Sequence, residues 1–203
     1  MSQADSAHLQ TIRHWIFDMD GTLTLAKHDF AMIKKVLEIP EDEDILTNLD
    51  ALPTEDRKAR LRWLAEYELK IAKETVTAIG ALTLLDHLSE QKSEFAILTR
   101  NLQDLAFITL EAAGIDQFFT QELIIGRMDA APKPSPAGIL KILQAWNIEP
   151  HETVIVGDHE YDLAAGKNAG IATILINEEG NIYPDLADYY FPNCETLLHY
   201  LKS

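Results

Sequence analysis

The apolar positions along the chain keep two different rhythms. In HWIFDMD (residues 14–20) Trp15, Ile16 and Phe17 run without a break into Asp18 and Asp20, which reads as a buried strand ending near Asp18. From residue 93 onward short apolar runs alternate with stretches of helical period. EFAILT (94–99), ELIIG (122–126), TVIVGD (153–158) and IATILI (171–176) are expected strands. NLQDLAFITLEAAG (101–114) is an expected helix closed by Gly114, and SPAGILKILQAW (135–146) another, with Pro136 in its first turn. A further helix runs to Ala169, DYYF (188–191) reads as an edge strand, and a last helix spans 195–201. Strands and helices in alternation predict an α/β fold, a doubly wound (Rossmann-like) parallel sheet with helices on both faces.

Residues 28–77 break that order. FAMIKKVLEI, EDILTNLDAL and TEDRKARLRWLAEYELKIAKET all have helical patterning, with no strand among them. Glu55 and Asp56 after Pro53 suit a helix N-terminus, and Trp63, Leu64, Tyr67 and Ile71 form a stripe for helix packing. The expected organisation is an α/β core from residues 10–27 and 78–203, with a small all-helical cap, 28–77, inserted after the first strand.

Length and composition change this picture little. With 203 residues, 47% hydrophobic and 25% charged, the chain has material for one domain carrying an insertion and a substantial core. No apolar run is long enough to span a bilayer, and the polar segment 1–10 is not a secretory signal. One cysteine, Cys194, rules out an intrachain disulfide and agrees with a reducing, cytoplasmic setting. The net charge of −16, from 33 acidic against 17 basic residues, argues against nucleic-acid or anionic-membrane partners. It also requires local positive charge wherever an anionic substrate binds.

The candidate chemistry lies where the strands end. Side chains two apart on a strand share a side, so Asp18 and Asp20 can face one crevice, and open parallel sheets bind ligands beyond their carboxyl ends. Asp158 and Asp162 follow the strand TVIVG in the same manner. Two acidic strand ends suggest a hard divalent cation, and oxygen donors with open water positions suit Mg²⁺. An EF-hand-type calcium loop is excluded, because Ile16 stands where the first ligand belongs. Asp158 and Asp162 have a plainer reading as acids at a helix N-terminus. Thr99 ends a strand, Asn101 and Asp104 suit a reciprocal helix cap, and a hydroxyl beside free N–H groups can cradle phosphate. Lys133, between Pro132 and Pro134, is either solvated surface or a fixed charge that neutralises carboxylates and phosphate.

In this order DMDGTLT, LTRN, KPSP and GDHEYDLAAGKNAG resemble the four motifs of the haloacid dehalogenase (HAD) superfamily, and within it the phosphoglycolate phosphatase-like group. The resemblance spans residues 15 to about 176 and puts the helical insertion where that group carries its cap. It implies a Mg²⁺-dependent phosphatase acting on a small phosphate monoester through an aspartyl-phosphate. By position, Asp18 would be the nucleophile and Asp20 the general acid/base. Thr99 would hold the phosphoryl group with Arg100 and Asn101 beside it, and Lys133 would stabilise its charge. Asp18, Asp158 and the carbonyl of Asp20 would bind Mg²⁺, supported by Asp162, while Gly21 permits the tight turn after the acids.

Asp20 argues against the carbon–halogen and phosphonate chemistries of the superfamily, whose members replace it. A sugar phosphomutase remains an alternative, although a cap of about 50 residues looks small for shielding a phosphoenzyme. A non-catalytic phospho-ligand-binding protein on the same scaffold would be expected to have lost a carboxylate. A phosphoaspartate receiver lacks such an insertion. Specificity is expected from Lys27, His28 and Asp29 at the cap entry and from Arg127, although Arg100 and Arg127 also read as surface ion pairs. The basic run Arg57, Lys58, Arg60 and Arg62 is expected to balance the acids at 41–44. The expected partner is a small phosphorylated metabolite, and the expected state a monomer or weak dimer.

Overall fold

A computed structural model describes residues 9–25 and 29–203. Among these residues six strands form one sheet: β1 (His14–Phe17), β2 (Glu94–Leu98), β3 (Ile124–Ile125), β4 (Thr153–Gly157), β5 (Ala172–Ile176) and β6 (Tyr189–Phe191). Their spatial order is β3, β2, β1, β4, β5, β6, and every neighbouring pair is parallel. The Rossmann-like α/β expectation is met. Three α-helices fall between β1 and the rest of the α/β alternation: α1 (Phe30–Val36), α2 (Ile45–Asp50) and α3 (Thr54–Glu74). The helices of the core are α4 (Ala81–Glu90), α5 (Gln103–Ala113), α6 (Ala137–Trp146), α7 (Glu160–Ala169) and α8 (Cys194–Leu201).

Both faces of β1 are buried, which is why its apolar residues run unbroken. Trp15 and Phe17 point to one face, among Phe95, Ile97, Val154 and Val156. Ile16 points to the other, among Ala96, Leu98 and Ile155. The first face is covered by α4, α5 and α8, the second by α6 and α7. Each large side chain so enclosed is worth roughly 1.5–3 kcal/mol relative to exposure.

The insertion is built from α1, α2 and α3. Asp29 caps α1 by accepting from the N–H of Met32 at 2.9 Å, and Asp44 caps α2 by accepting from that of Thr47 at 3.0 Å. These helices close over a small apolar cluster of their own, Ile33, Leu37, Ile39, Leu49 and Leu64, with the stacked rings of Trp63 and Tyr67 packed against it. The chain leaves and returns at one point. Leu25 donates its N–H to the carbonyl of Val76 at 3.0 Å, and Ala78 donates to that of Leu23 at 2.8 Å. Among the described residues no helix is long and apolar enough to cross a membrane.

Gly80 precedes α4 with φ +79°, and a Cβ there would lie 2.2 Å from the backbone nitrogen of Glu195. Backbone in contact with backbone leaves no flexible side chain to give way. We expect Gly80→Ala to lower the urea midpoint, costing about 1–3 kcal/mol; an unchanged midpoint would show that α4 and α8 tolerate separation.

Candidate active site

Because the strands are all parallel, their carboxyl ends open on one edge, and β2, β1 and β4 are adjacent there. Asp18 follows β1 and extends its ladder by donating its N–H to the carbonyl of Val156 at 2.8 Å. Thr99 follows β2 and donates likewise to Ile125 at 3.0 Å. Asp158 follows β4, and Lys133 comes from the loop after β3. Topology alone thus gathers residues separated by more than a hundred positions.

Lys133 is not solvated surface: it is 4% exposed. Its Nζ donates to Asp18 Oδ1 at 2.5 Å and to the Leu98 carbonyl at 2.7 Å, and it lies 2.5 Å from Asp162 Oδ1. Burial alone would lower its pKa, but the charges of Asp162 and Asp18 outweigh burial and hold the ammonium protonated. Carboxylate oxygens of Asp18, Asp158 and Asp162 lie within 4.8 Å of one another. Burial raises Asp18 well above the usual carboxylate range; Lys133 opposes the rise, and Asp162 and Asp158 add to it. Asp158 is pushed up to about 7 by burial first and Asp162 second, with Asp20 adding and Lys133 opposing. One ammonium does not neutralise this group, and its hard oxygen donors suit a divalent cation.

Two glycines make the approach possible. Gly21 has φ +94°, and a Cβ there would sit 2.2 Å from Asp158 Oδ2. A Cβ at Gly157 would meet that of Asp162 at 2.3 Å. Asp162 also fits the plainer reading of a helix-terminal acid: its Oδ2 accepts from the N–H of His159 at 3.1 Å, ahead of α7. Asp20 lines the same cavity and forms a bridge with Thr24 across the turn.

Thr99 is 3% exposed, and its Oγ1 accepts from the N–H of Asn101 at 3.0 Å. The cap expected from Asn101 and Asp104 does not form. Asn101 Oδ1 accepts from the N–H of Leu102, the next residue, so α5 starts one position later with Leu102 as its N-cap and no side-chain cap bond. Thr99, Arg100 and Asn101, the residues expected to cradle phosphate, line the cavity with Lys133.

The cavity measures about 380 Å³, within the range of small-molecule sites. The helical insertion forms part of its wall, contributing Phe30, Ile33, Ile45, Leu46 and Leu64. Two ion pairs join insertion to core. Arg127 grips Glu68 of α3 with two bonds, Nη1 to Oε1 at 2.8 Å and Nη2 to Oε2 at 3.0 Å, with side chains only 8% and 9% exposed. Arg100 reaches Asp44 Oδ2 at 2.6 Å while its guanidinium lies 4.6 Å from the centre of the Tyr161 ring. Asp44 would be raised by its partial burial, but the Thr47 N–H and Arg100 outweigh this and hold it below the usual range. These arginines do form ion pairs, as expected, but across the two parts of the fold rather than on open surface.

The basic run in α3 does not balance the acids at 41–44. Arg57 pairs with Asp50 of α2, Lys58 with Glu55 one helical turn away, and Arg60 with Glu38 after α1. Asp29 is an exposed helix cap and is absent from the cavity wall. Lys27 and His28 lie outside the described residues. Sequence reasoning missed Glu68, Asp44 and Tyr161. Glu68 carried a signal: Leu64, Glu68 and Ala72 are buried at spacing four, so the acid interrupts an apolar stripe.

Comparison with known proteins gives this fold and site their class, a hydrolytic enzyme. The family model for haloacid dehalogenase-like hydrolases matches residues 31–176, and the chain belongs to that family. It is 32% identical over 186 residues to a haloacid dehalogenase-like hydrolase domain-containing protein of Arabidopsis thaliana, covering 86% of this chain and 74% of the relative. Pyrophosphatase PpaX of Bacillus mycoides is 26% identical over 180 residues, with 80% and 82% covered. A hydrolase from Pseudomonas syringae shares the fold at a TM-score of 0.76 and 20% identity, covering 94% of this chain and 98% of that one.

The buried Glu68–Arg127 pair and the raised carboxylates each lead to a measurable outcome. Removing one partner of the pair strands a charge, so Glu68→Ala should cost about 3–5 kcal/mol in urea unfolding. The double variant Glu68→Leu with Arg127→Met should recover most of that loss; no recovery would mean the pair itself, not the orphaned charge, matters. A carboxylate raised in the folded state contributes stability that is fully present below its unfolded pKa of about 4 and is lost as pH rises through the folded value. In chelator, stability should therefore fall as pH rises toward about 7, where Asp158 titrates. Asp158→Asn should flatten that fall, and an unchanged slope would contradict the assignment.

Proposed function

We propose that the protein is a Mg²⁺-dependent phosphatase that hydrolyses a small phosphate monoester through an aspartyl-phosphate on Asp18. The observation that carries this reading is the buried contact of Lys133 with Asp18, beside Asp158 and in a cavity lined by both the insertion and the core. A nucleophilic carboxylate needs its own charge balanced before a phosphate dianion can approach, and a fixed ammonium does so without solvent rearrangement. Similarity to pyrophosphatase PpaX supports the coarser reading, hydrolysis that releases phosphate.

In this mechanism Asp18 attacks phosphorus through the oxygen not held by Lys133. Asp20, lining the same cavity, protonates the leaving alkoxide and then takes a proton from the hydrolytic water. Thr99 Oγ1 accepts from Asn101, which leaves its own proton free to donate to a phosphoryl oxygen. Lys133 balances the developing charge. Asp18, Asp158 and the carbonyl of Asp20 are the proposed Mg²⁺ ligands. Asp162 is assigned a supporting role, since one of its oxygens faces Lys133 and the other accepts from His159. When bound, Mg²⁺ supplies charge neutralisation and alignment of the phosphoryl oxygens. The helices of residues 29–77 act as a cap that keeps bulk water from the intermediate.

Asp18→Asn should abolish phosphate release from a panel of monoesters, and Asp20→Asn should lower kcat by about 10²–10⁴. Mg²⁺ should raise the unfolding temperature of the wild type but not of Asp158→Asn. Phosphate release by Asp18→Asn would remove that residue as nucleophile, and an equal Mg²⁺ shift in Asp158→Asn would remove that residue as a ligand. Relocation of phosphate on a sugar phosphate without net release would redirect the reading to a mutase.

A further inference from the structure

The cavity is zoned by charge in a way that bears on the leaving group, an inference that rests on the phosphatase reading. Its floor carries Lys133, the cation that faces Asp18 and the incoming phosphoryl group. Among the described residues the remaining cavity-lining cations are Arg100, Arg127 and Lys34. Arg127 is matched by the bidentate, buried carboxylate of Glu68, and Arg100 by Asp44 at 2.6 Å. Lys34 donates to the main-chain carbonyl of Glu41, and Asp42 and Glu43 line the same side, so the local excess there is negative. The insertion also lines the cavity with apolar side chains, Phe30, Ile33, Ile45, Leu46 and Leu64, of which Phe30 is exposed.

A leaving group with a second anion would therefore meet no unmatched arginine. It would have to displace Asp44 or Glu68 from its partner, approach Lys34 against the adjoining charges of Asp42 and Glu43, or lie against apolar side chains. Each loses the hydration of the anion without replacing it by paired donors. The net charge of −16 adds to the repulsion of a multiply charged substrate, whereas one phosphoryl group is compensated locally at the floor. We infer that the substrate's leaving group is uncharged with an apolar body, and that the Asp44–Arg100 and Glu68–Arg127 pairs exclude esters whose leaving group bears a carboxylate or phosphate. Inorganic pyrophosphate and phosphoglycolate fall in the excluded class.

The test compares phenyl phosphate with 4-carboxyphenyl phosphate, 2-phosphoglycolate and inorganic pyrophosphate, using the whole protein with Mg²⁺. The two aryl esters match in shape, and the carboxylated phenol is no poorer a leaving group. Phenyl phosphate should have the higher kcat/KM by about tenfold or more, chiefly through KM. Added salt should narrow the gap, because repulsion at the exposed rim is screened. Asp44→Asn frees the charge of Arg100 and should raise the carboxyphenyl-to-phenyl ratio several-fold. Asp42→Asn with Glu43→Gln, both at exposed positions, should raise it less. The ratio does not depend on the fraction of active protein, so a poorly folding variant cannot imitate the result. Equal or better turnover of 4-carboxyphenyl phosphate, phosphoglycolate or pyrophosphate by the wild type overturns this inference and leaves the phosphatase reading intact. No phosphate release from any of the four overturns both.

Discussion

A single buried ammonium holds together carboxylates that would otherwise repel one another. Lys133 touches Asp18 and Asp162 while Asp158 stands close by, and little water reaches the group to screen it. Charges confined in this way cost several kcal/mol each unless paired with good geometry. Much of the surrounding fold serves that geometry. Adjacent parallel strands set the carboxylates side by side, the carbonyl of Leu98 fixes the ammonium, and Gly21 and Gly157 keep side-chain atoms out of the space that Asp158 and Asp162 fill. Pairing remains incomplete, which leaves Asp18 and Asp158 harder to ionise than ordinary aspartates.

The second constraint is the seam between the helical insertion and the sheet. Their apolar clusters are separate, so the junction is made by polar contacts as well as by α3 packing along α5. A buried Arg–Glu pair contributes modest net stability, because desolvation offsets most of the attraction. What it supplies is direction: two parallel N–H···O bonds tolerate few relative orientations of α3 and the loop carrying Arg127. Arg100 does two things at once, meeting Asp44 of the insertion and lying over Tyr161 of the core.

These two constraints give the cavity its polarity. The cation at the floor is shared among Asp18, Asp162 and the carbonyl of Leu98. Arg100 and Arg127 in the wall are already matched by acids from the insertion. A buried cation, Lys133, thus sits among carboxylates at the strand ends of a strongly acidic molecule.

The alternation of buried runs and helical periods was enough to define the parallel sheet, because strands covered on both faces leave a continuous apolar trace such as Trp15–Phe17. Asp18, Asp20, Thr99 and Asp158 were legible as candidates for a related reason: each follows a strand, and strand ends of a parallel sheet converge. Pairing between the insertion and the core was not legible. Glu68 and Arg127 lie 59 positions apart, Asp44 and Arg100 lie 56 apart, and neither spacing belongs to any local period. The sequence also could not separate the two readings of Lys133, since a lysine between prolines is solvated or enclosed according to what packs over it. Burial and the choice of ionic partner are properties of the assembled surface, decided by which side chains arrive from distant segments, and only the tertiary structure determines them.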